Sequence, residues 1–133
     1  MGLGNIFQIA ASSMGAESVR LSTVASNLAN ANATSATPEG VYRARMPVFQ
    51  TVLDDQGGAG VRVSNIVEST APPEKRYAPN DPQADGQGYI YAASVNPVDA
   101  MVNMIAAARS YQNSVQAMST AKQLMLDTLS LGK

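Results

Sequence analysis

The sequence feature that most constrains the fold is a regular apolar row in the first 31 residues. From Leu3 onward, every fourth and then third residue is apolar, with Glu17 as the one exception. Residues spaced in this way lie on one face of an α-helix and form a seam that docks on another helix. Pro38 and Gly40 then end the pattern. The row consists of Leu3, Phe7, Ala10, Met14, Glu17, Leu21, Val24, Leu28 and Ala31.

A second helix is predicted from residue 97 to the C-terminus. Asn96 is a suitable N-cap, Pro97 suits the first turn, and Asp99 complements the positive end of the helix dipole. Gly132 marks the end of the helix. Further apolar residues at 102, 124, 126 and 131 make its apolar face wider than one partner helix requires. The predicted stripe runs through Met101, Ile105, Ala108, Val115, Met118, Ala121, Met125 and Leu129, with Tyr111 on its edge.

The middle of the chain has a different pattern. Proline and glycine interrupt residues 41–95 repeatedly, and three short runs between them are typical of β-strands: 47–53, 61–67 and 89–92. We therefore predict a mainly α fold, with long N- and C-terminal helices packed as a coiled-coil-like helical pair and a small β-rich insert. The predicted segments are 1–40 for the N-terminal helix and linker, 41–95 for the insert, and 96–133 for the C-terminal helix.

Periodicity alone leaves two arrangements of the helices open. The terminal helices form an intramolecular hairpin whose polar faces are solvated, or they also pack against other chains. Isolated helices are marginal in water, so each helix needs a partner in either case. Charged residues make up only 14% of the chain, against about 25% in a typical soluble domain. This low charge favours contacts with other chains.

The sequence lacks the residue types of most catalytic and metal sites. It contains no His and no Cys, which removes cysteine nucleophiles, histidine bases, disulfides and the usual zinc sites. Ser119 and Lys122 have the spacing of some serine acyl enzymes, but the accompanying motifs of those enzymes do not occur. Asp81 and Asp85 resemble the start of a calcium loop, but Ala92 stands where its bidentate Glu belongs. We predict no catalytic residue, no cofactor, no metal site and no small-molecule substrate.

The charge balance and the N-terminus exclude further classes. Nine basic and ten acidic residues give a net charge of −1, which argues against a nucleic-acid partner. No Lys or Arg precedes the short apolar run at the N-terminus, so we predict no cleaved secretory signal. No stretch is typical of a transmembrane helix.

Specific strings at both ends resemble one family. Residues 26–32, Ser-Asn-Leu-Ala-Asn-Ala-Asn, follow the helical row and resemble the Asn-Leu-Ala-Asn signature of bacterial flagellar axial proteins, the rod, hook and hook-junction group. Residues 41–49, the loop and strand at 81–89, and the segment from 95 onward are similar to the proximal rod branch of that family. The chain departs from other members in its longer linker, which contains Pro38 and Gly40. The resemblance spans essentially the whole chain.

The resemblance implies a structural subunit of the proximal rod of the flagellar basal body. Such a subunit passes unfolded through the flagellar type III export apparatus without signal cleavage, and it joins a periplasm-crossing shaft that transmits torque from motor to hook. The implied partners are copies of itself, other rod proteins, the MS-ring and the MS-ring–rod junction protein, with the surrounding ring bushing as an additional candidate. The rival readings are another rod or hook component, and a secreted helical effector or export adaptor that never polymerises.

Apolar spacing and the signature together predict the residues of the subunit interface. On the N-terminal helix they are Leu3, Phe7, Met14, Leu21, Val24, Asn27, Leu28 and Asn30. On the C-terminal helix they are Met101, Ile105, Tyr111, Val115, Met118, Met125 and Leu129.

Overall fold

The structure is a computed structural model that describes residues 2–55 and 57–132. The first and last residues of the predicted segments, 1 and 133, lie outside the described residues. Two helices enclose five strands along the chain. They are α1 (Leu3–Ala29), β1 (Thr34–Ser35), β2 (Arg45–Leu53), β3 (Ala59–Glu68), β4 (Glu74–Tyr77), β5 (Tyr89–Ala92) and α2 (Pro97–Leu131).

The prediction of a mainly α fold with a coiled-coil-like terminal pair is wrong. Helices account for 48% of the described residues, and strands account for about 22% in two antiparallel sheets. Helix α1 is not devoted to a helical pair, because it packs against β2 and β3 as well as against α2. The physical reason is that a two-stranded sheet cannot bury its apolar side chains alone and needs a further element to cover one face. The chain is therefore an α+β molecule with α1 shared between both parts.

The two helices run in opposite directions past each other. Ile6 and Ser13 lie beside Asn113 and Ala117, whereas Asn27, toward the other end of α1, lies near residue 103 of α2. Most side chains of α2 that are buried or half-buried recur at alternating spacings of four and three; Pro97, Ala108 and Ser110 are also half-buried and lie outside this row. The members of the row are Ala100, Met104, Ala107, Tyr111, Ser114, Met118, Ala121 and Met125.

This buried row differs from the predicted α2 stripe in its first half. From Ala100 to Ser114, each residue of the row except Tyr111 lies one position N-terminal to a residue of the stripe, which is a rotation of about 100° around the helix axis. From Met118 to Met125 the row and the stripe coincide. The rotation places alanines at the contact with α1, and Ala107 is 0% exposed. Small side chains let helices approach closely, and the larger Met101 and Ile105 are left on the outside.

A three-stranded sheet fixes where α2 begins relative to the end of α1. Its strand order is β1-β5-β4, and both pairs are antiparallel. Just beyond the β1–β5 pair, the N–H of Ala93 donates to the carbonyl of Ala33 at 3.0 Å. The Asn96 side chain then accepts from the N–H groups of Val98 and Asp99, which confirms the predicted cap.

The loop between β4 and β5 is organised by Asp85. Its Oδ1 accepts hydrogen bonds from the N–H groups of Tyr89 at 3.0 Å and Gln87 at 2.8 Å. Because these donors favour the charged carboxylate, they hold the pKa of Asp85 below its ordinary value of 3.8. Gly88 has a φ of +83°, and a side chain there would lie 2.9 Å from the ring of Tyr77. The turn into β5 therefore requires glycine.

Strands β2 and β3 form a separate hairpin, which we call the ribbon. Their register runs from Arg45 opposite Glu68 to Leu53 opposite Ala59, with an irregularity between Val48 and Phe49. The two predicted strand runs at 47–53 and 61–67 lie inside β2 and β3. Strands β1 and β4 were not predicted, because each is short and lacks an alternating apolar pattern.

We expect Ala107→Leu to destabilise the isolated chain by about 1–3 kcal/mol, because the site is filled and a larger side chain forces the helices apart. Urea denaturation followed by circular dichroism measures the free energy of unfolding. Ala106→Leu is the matched control, since Ala106 is exposed on the same helix turn and its change should stay within about 0.5 kcal/mol. Equal effects of the two substitutions would contradict the helix contact described here.

We expect the stabilisation by Asp85 to depend on pH. A carboxyl whose pKa is lowered by folding stabilises the chain above its unfolded pKa, here the ordinary value of 3.8, and loses this effect as the pH falls through the folded pKa. The melting temperature of Asp85→Ala should therefore lie below that of the wild type at about pH 7, and the gap should shrink at about pH 3. Gln87→Ala is the control, because its effect should not change with pH. A gap for Asp85→Ala that is the same at both pH values would refute the proposed role.

Candidate assembly surface

The described part of the chain leaves many large apolar side chains exposed. Its buried apolar residues are mostly alanines, and none of the larger side chains is fully buried. Seven exposed residues lie on the ribbon: Met46, Val48, Phe49, Val52, Leu53, Ile66 and Val67. Nine lie on α2: Val98, Met101, Val102, Ile105, Val115, Leu124, Leu126, Leu129 and Leu131. Exposed apolar side chains that cluster on a surface mark protein–protein contact sites.

The apolar side chains of α2 concentrate at the two ends of the helix. Val98, Met101, Val102 and Ile105 occupy the first turns, and the four leucines from 124 to 131 occupy the last. Between these groups, polar side chains such as Gln112, Gln116 and Gln123 take most of the exposed positions, with Val115 as the large apolar exception. The two ends of α2 therefore differ from its middle in the surface that they present.

The C-terminal end of α2 extends past the start of α1. Every described residue from 126 to 132 is exposed, and Leu129 and Leu131 are 67% and 87% exposed. The half-buried Met125 is the last α2 residue in the row that faces α1. About two turns of helix therefore have no covering element within the described chain.

The structure divides the predicted interface residues into three groups by exposure. Two are buried: Val24 and Asn27. Nine are half-buried: Leu3, Phe7, Met14, Leu21, Leu28, Asn30, Tyr111, Met118 and Met125. Four are exposed in the single chain and so are accessible to a neighbour: Met101, Ile105, Val115 and Leu129.

The side chain of Asn27 forms its hydrogen bonds within the chain. Its Nδ2 donates to the carbonyl oxygen of Arg45 at 2.8 Å, and its Oδ1 accepts from the N–H of Arg45 at 2.8 Å. The same oxygen accepts from the hydroxyl of Tyr42 at 2.8 Å, and that hydroxyl lies 3.1 Å from Oγ of Ser26. The side chain is only 8% exposed. Asn30 is also used internally, since its Nδ2 donates to the carbonyl of Ser26 at 2.9 Å.

A second polar contact joins the far end of the ribbon to α1. The Oγ of Ser12 accepts from the N–H of Val61 at 3.1 Å and donates to the carbonyl of Ile9 at 3.0 Å. Asn27 and Ser12 are 15 residues apart on α1, or about 22 Å. Arg45 faces Glu68, seven residues beyond Val61 on β3, which spans about 23 Å. The matching lengths place the ribbon along α1.

Sequence reasoning missed Ser12 and the partners of Asn27 in the ribbon. Asn27 was noticed through the family signature alone, because its spacing carries no information on which backbone groups it pairs with. Tyr42 and Arg45 lie in a segment similar to the rod family, but no pattern shows that they return to α1. Ser12 has no local signal at all, since a serine on a helix surface is ordinary.

The charges of the molecule do not build a binding site. Three ion pairs are present among the described residues: Glu17–Arg20, Arg45–Glu68 and Glu74–Arg76. The last two are exposed, and pairs of this kind stabilise a protein by little. Glu17 and Arg20 are more buried, and this pair explains how the charged position in the apolar row of α1 is accommodated.

The described residues contain no arrangement typical of catalysis or metal binding. Ser119 and Lys122 are both exposed on α2. Within residues 2–55 and 57–132, no group of three or more acidic side chains is placed to hold a metal ion. An open groove of about 440 Å³ between α1 and the ribbon is lined by both acidic and basic side chains and by an isoleucine. Among the helices described, neither is long and apolar enough to cross a membrane.

Comparison with known proteins gives matches at both ends and over the full length. The family model "Flagella basal body rod protein" matches residues 7–36, and "Flagellar basal body rod FlgEFG protein C-terminal" matches residues 87–131. The flagellar basal-body rod protein FlgC of Salmonella typhimurium is 43% identical, with 100% of both chains covered. FlgC of Escherichia coli O157:H7 is also 43% identical over the full length of both. FlgC of Bacillus subtilis is 34% identical, over 94% of this chain and 95% of the relative.

These matches confirm the predicted class of structural rod protein and exclude an enzyme. The two family models cover the segments that fold into α1 and into β5 with α2, and the ribbon lies between them. The full-length relatives include the ribbon as well. The chain therefore belongs to the family of flagellar basal-body rod proteins.

Proposed function

We propose that the chain is a subunit of the proximal rod, the part of the flagellar shaft that crosses the periplasm and transmits torque from the motor to the hook. Membership of the rod family implies assembly with other rod components. The observation that carries a role in a multi-subunit shaft is the exposed apolar surface at both ends of α2. Such surface is unfavourable in water and is stabilised when a neighbouring chain covers it.

The placement of the apolar groups suits an open assembly. A contact that joins different surfaces of identical or similar subunits propagates into a helical array when it does not close into a ring. The first and last turns of α2 are separated by about 30 Å of mostly polar helix surface. Each subunit can therefore use one end toward the neighbour above it and the other toward the neighbour below it.

The finer partners and the location are part of the same proposal. The chain would contact copies of itself, further rod proteins, the MS-ring and its junction protein, with the surrounding ring bushing as an additional candidate. It would reach the periplasm through the flagellar export apparatus without loss of a signal peptide. The terminal segments 1–40 and 96–133 would build the shaft. The insert 41–95 would be held in place by its contacts with α1.

Of the fifteen positions predicted from the sequence, Asn27 and Asn30 pair within the chain, and the proposed contact residues are drawn from the other thirteen. Within them, the exposed Met101, Ile105, Val115 and Leu129 are the first candidates for direct contact, because no rearrangement is needed to reach them. The half-buried residues of α1 would contribute at the borders of the contact with α2.

We expect the double substitution Leu126→Gln with Leu129→Gln to block incorporation into the rod. Each leucine contributes about 1.5–3 kcal/mol when a neighbour buries it, so the amount that copurifies with basal bodies should fall at least about tenfold. The free energy of unfolding of the isolated chain should change by less than about 0.5 kcal/mol per site, since both side chains are already exposed. Immunoblots of purified basal bodies from a complemented deletion strain measure incorporation.

Ser130→Gln is the matched control, because Ser130 is exposed and polar on the same turn of α2. It should copurify with basal bodies as well as the wild type does. Normal incorporation of the double leucine variant would reject the proposed contact. A wild-type chain found only in the culture medium would instead favour a secreted protein that does not polymerise.

A further inference from the structure

We infer that Asn27 supports rod assembly as a positioning residue, by pairing with the outer edge of the ribbon and fixing the ribbon on α1, and not by touching a neighbouring subunit. The inference rests on the proposed function for its link to assembly. It assigns a physical task to the asparagine of the signature segment.

The pairing of the ribbon strands determines the direction of the backbone groups of Arg45. The N–H of Ser69 donates to the carbonyl of Ala44 at 2.7 Å, so the pair of residues 44 and 69 is joined across the hairpin. In an antiparallel pair, joined positions alternate with positions whose backbone groups point away from the partner strand. Arg45 is the next position in β2, and its N–H and C=O therefore point to the outer edge of the ribbon.

The side-chain amide of Asn27 takes the place of a neighbouring strand. One N–H donor and one C=O acceptor of the side chain pair with the C=O and N–H of Arg45, both at 2.8 Å. A residue on an adjacent antiparallel strand would offer the same two groups. An unpaired strand edge is a template for pairing with other chains, and covering it is a recognised way to prevent this.

Helix α1 also covers part of the opposite edge of the ribbon, which is formed by β3. Val61 lies opposite Thr51, two positions before the hairpin's Leu53–Ala59 end, and its N–H donates outward to Ser12. Helix α1 thus contacts the β2 edge at Asn27 and the β3 edge at Ser12, so it crosses the ribbon obliquely. Two polar contacts about 22 Å apart fix both the position and the angle of the ribbon.

The position of the ribbon also determines how its exposed side chains are arranged relative to those of α2. A groove of about 300 Å³ lies between the ribbon and α2, with Asn27 and Val24 of α1 at its base. Met46 and Phe49 border it from the ribbon, and residue 103 borders it from α2. If the ribbon moved, the exposed apolar groups of the ribbon and of α2 would no longer share one fixed arrangement.

The test replaces Asn27 with leucine, which has a similar volume but cannot pair with Arg45. Hydrogen exchange in the isolated chain should become roughly 10- to 100-fold faster at the amides of β2 and β3, while the amides of α2 stay near wild-type values. Copurification with basal bodies should fall with it. Asn30→Leu is the matched control, because its amide bonds only the carbonyl of Ser26 in α1 and its substitution should leave the ribbon amides protected.

A designed disulfide separates positioning from direct contact. A Cβ built on Gly60 lies 3.6 Å from the Cβ of Ser12, within the range that a disulfide spans. The chain has no cysteine of its own, so Ser12→Cys with Gly60→Cys gives a single defined crosslink. The proposed periplasmic location is oxidising, so the bond forms after export. Added to Asn27→Leu, it should restore both ribbon protection and copurification, and reductant in the growth medium should abolish the rescue.

The outcomes discriminate clearly. Loss of copurification in Asn27→Leu with unchanged exchange in the ribbon would overturn the inference, because Asn27 would then act on a neighbour directly. A protected ribbon without restored copurification in the crosslinked variant would overturn it as well, and so would an equal effect of Asn30→Leu. The crosslinked chain that retains Asn27 must copurify like the wild type.

Absence of the wild-type chain from basal bodies would refute the proposed function. Hydrogen exchange in the isolated chain would still test whether Asn27 holds the ribbon on α1.

Discussion

One helix serves as the common support of the whole molecule. Helix α1 packs against α2 on one side and against both strands of the ribbon on another, and its C-terminal end leads directly into the three-stranded sheet. Among the described elements, the backbones of the ribbon and of α2 do not contact each other, so their relative position depends on α1. A change that displaces α1 therefore affects both contacts at once, whereas a change in the ribbon leaves the helix contact intact.

The close approach of the two helices explains why so much apolar surface stays outside. Alanines occupy the most buried positions of the two helices, at residue 10 of α1, which lies beside α2, and at residues 100, 107 and 121 of α2. At these alanine positions there is no room for leucine or methionine. Met104, Met118 and Met125 are half-buried elsewhere in the row, and the other large apolar side chains of α2 lie on its outer surface. The chain thus has a defined helix contact while its larger apolar groups stay exposed. In a monomeric protein such exposed apolar surface would favour aggregation, whereas in a rod subunit it is available for the contacts proposed above.

The sequence predicts the helices well and their orientation less well. Apolar spacing and the cap at Asn96 locate α1 and α2, and the alternating runs locate β2, β3 and β5. The stripe in α2 was assigned to the largest apolar residues, Met101 and Ile105, but the residues in contact with α1 are the adjacent Ala100 and the half-buried Met104. Hydrophobicity ranks residues by size, whereas a close helix contact selects small ones, and no single-chain pattern separates these effects. The predicted fold class was wrong in part because the short strands β1 and β4 lack alternating apolar residues, so the sequence pattern indicates too low a strand content.

The edges of the ribbon show how a chain that assembles with other subunits can restrict the way in which it does so. Two strands of nine and ten residues with free edges offer a general pairing site to any other strand. Asn27 and Ser12 occupy outward backbone groups on opposite edges, and Pro47 removes a further donor from β2. Association through strand pairing is thereby hindered, whereas the apolar side chains of α2 stay accessible. Side-chain contacts depend on shape and register in a way that backbone pairing does not, so the same features that hold the ribbon also favour one specific mode of assembly over indiscriminate aggregation.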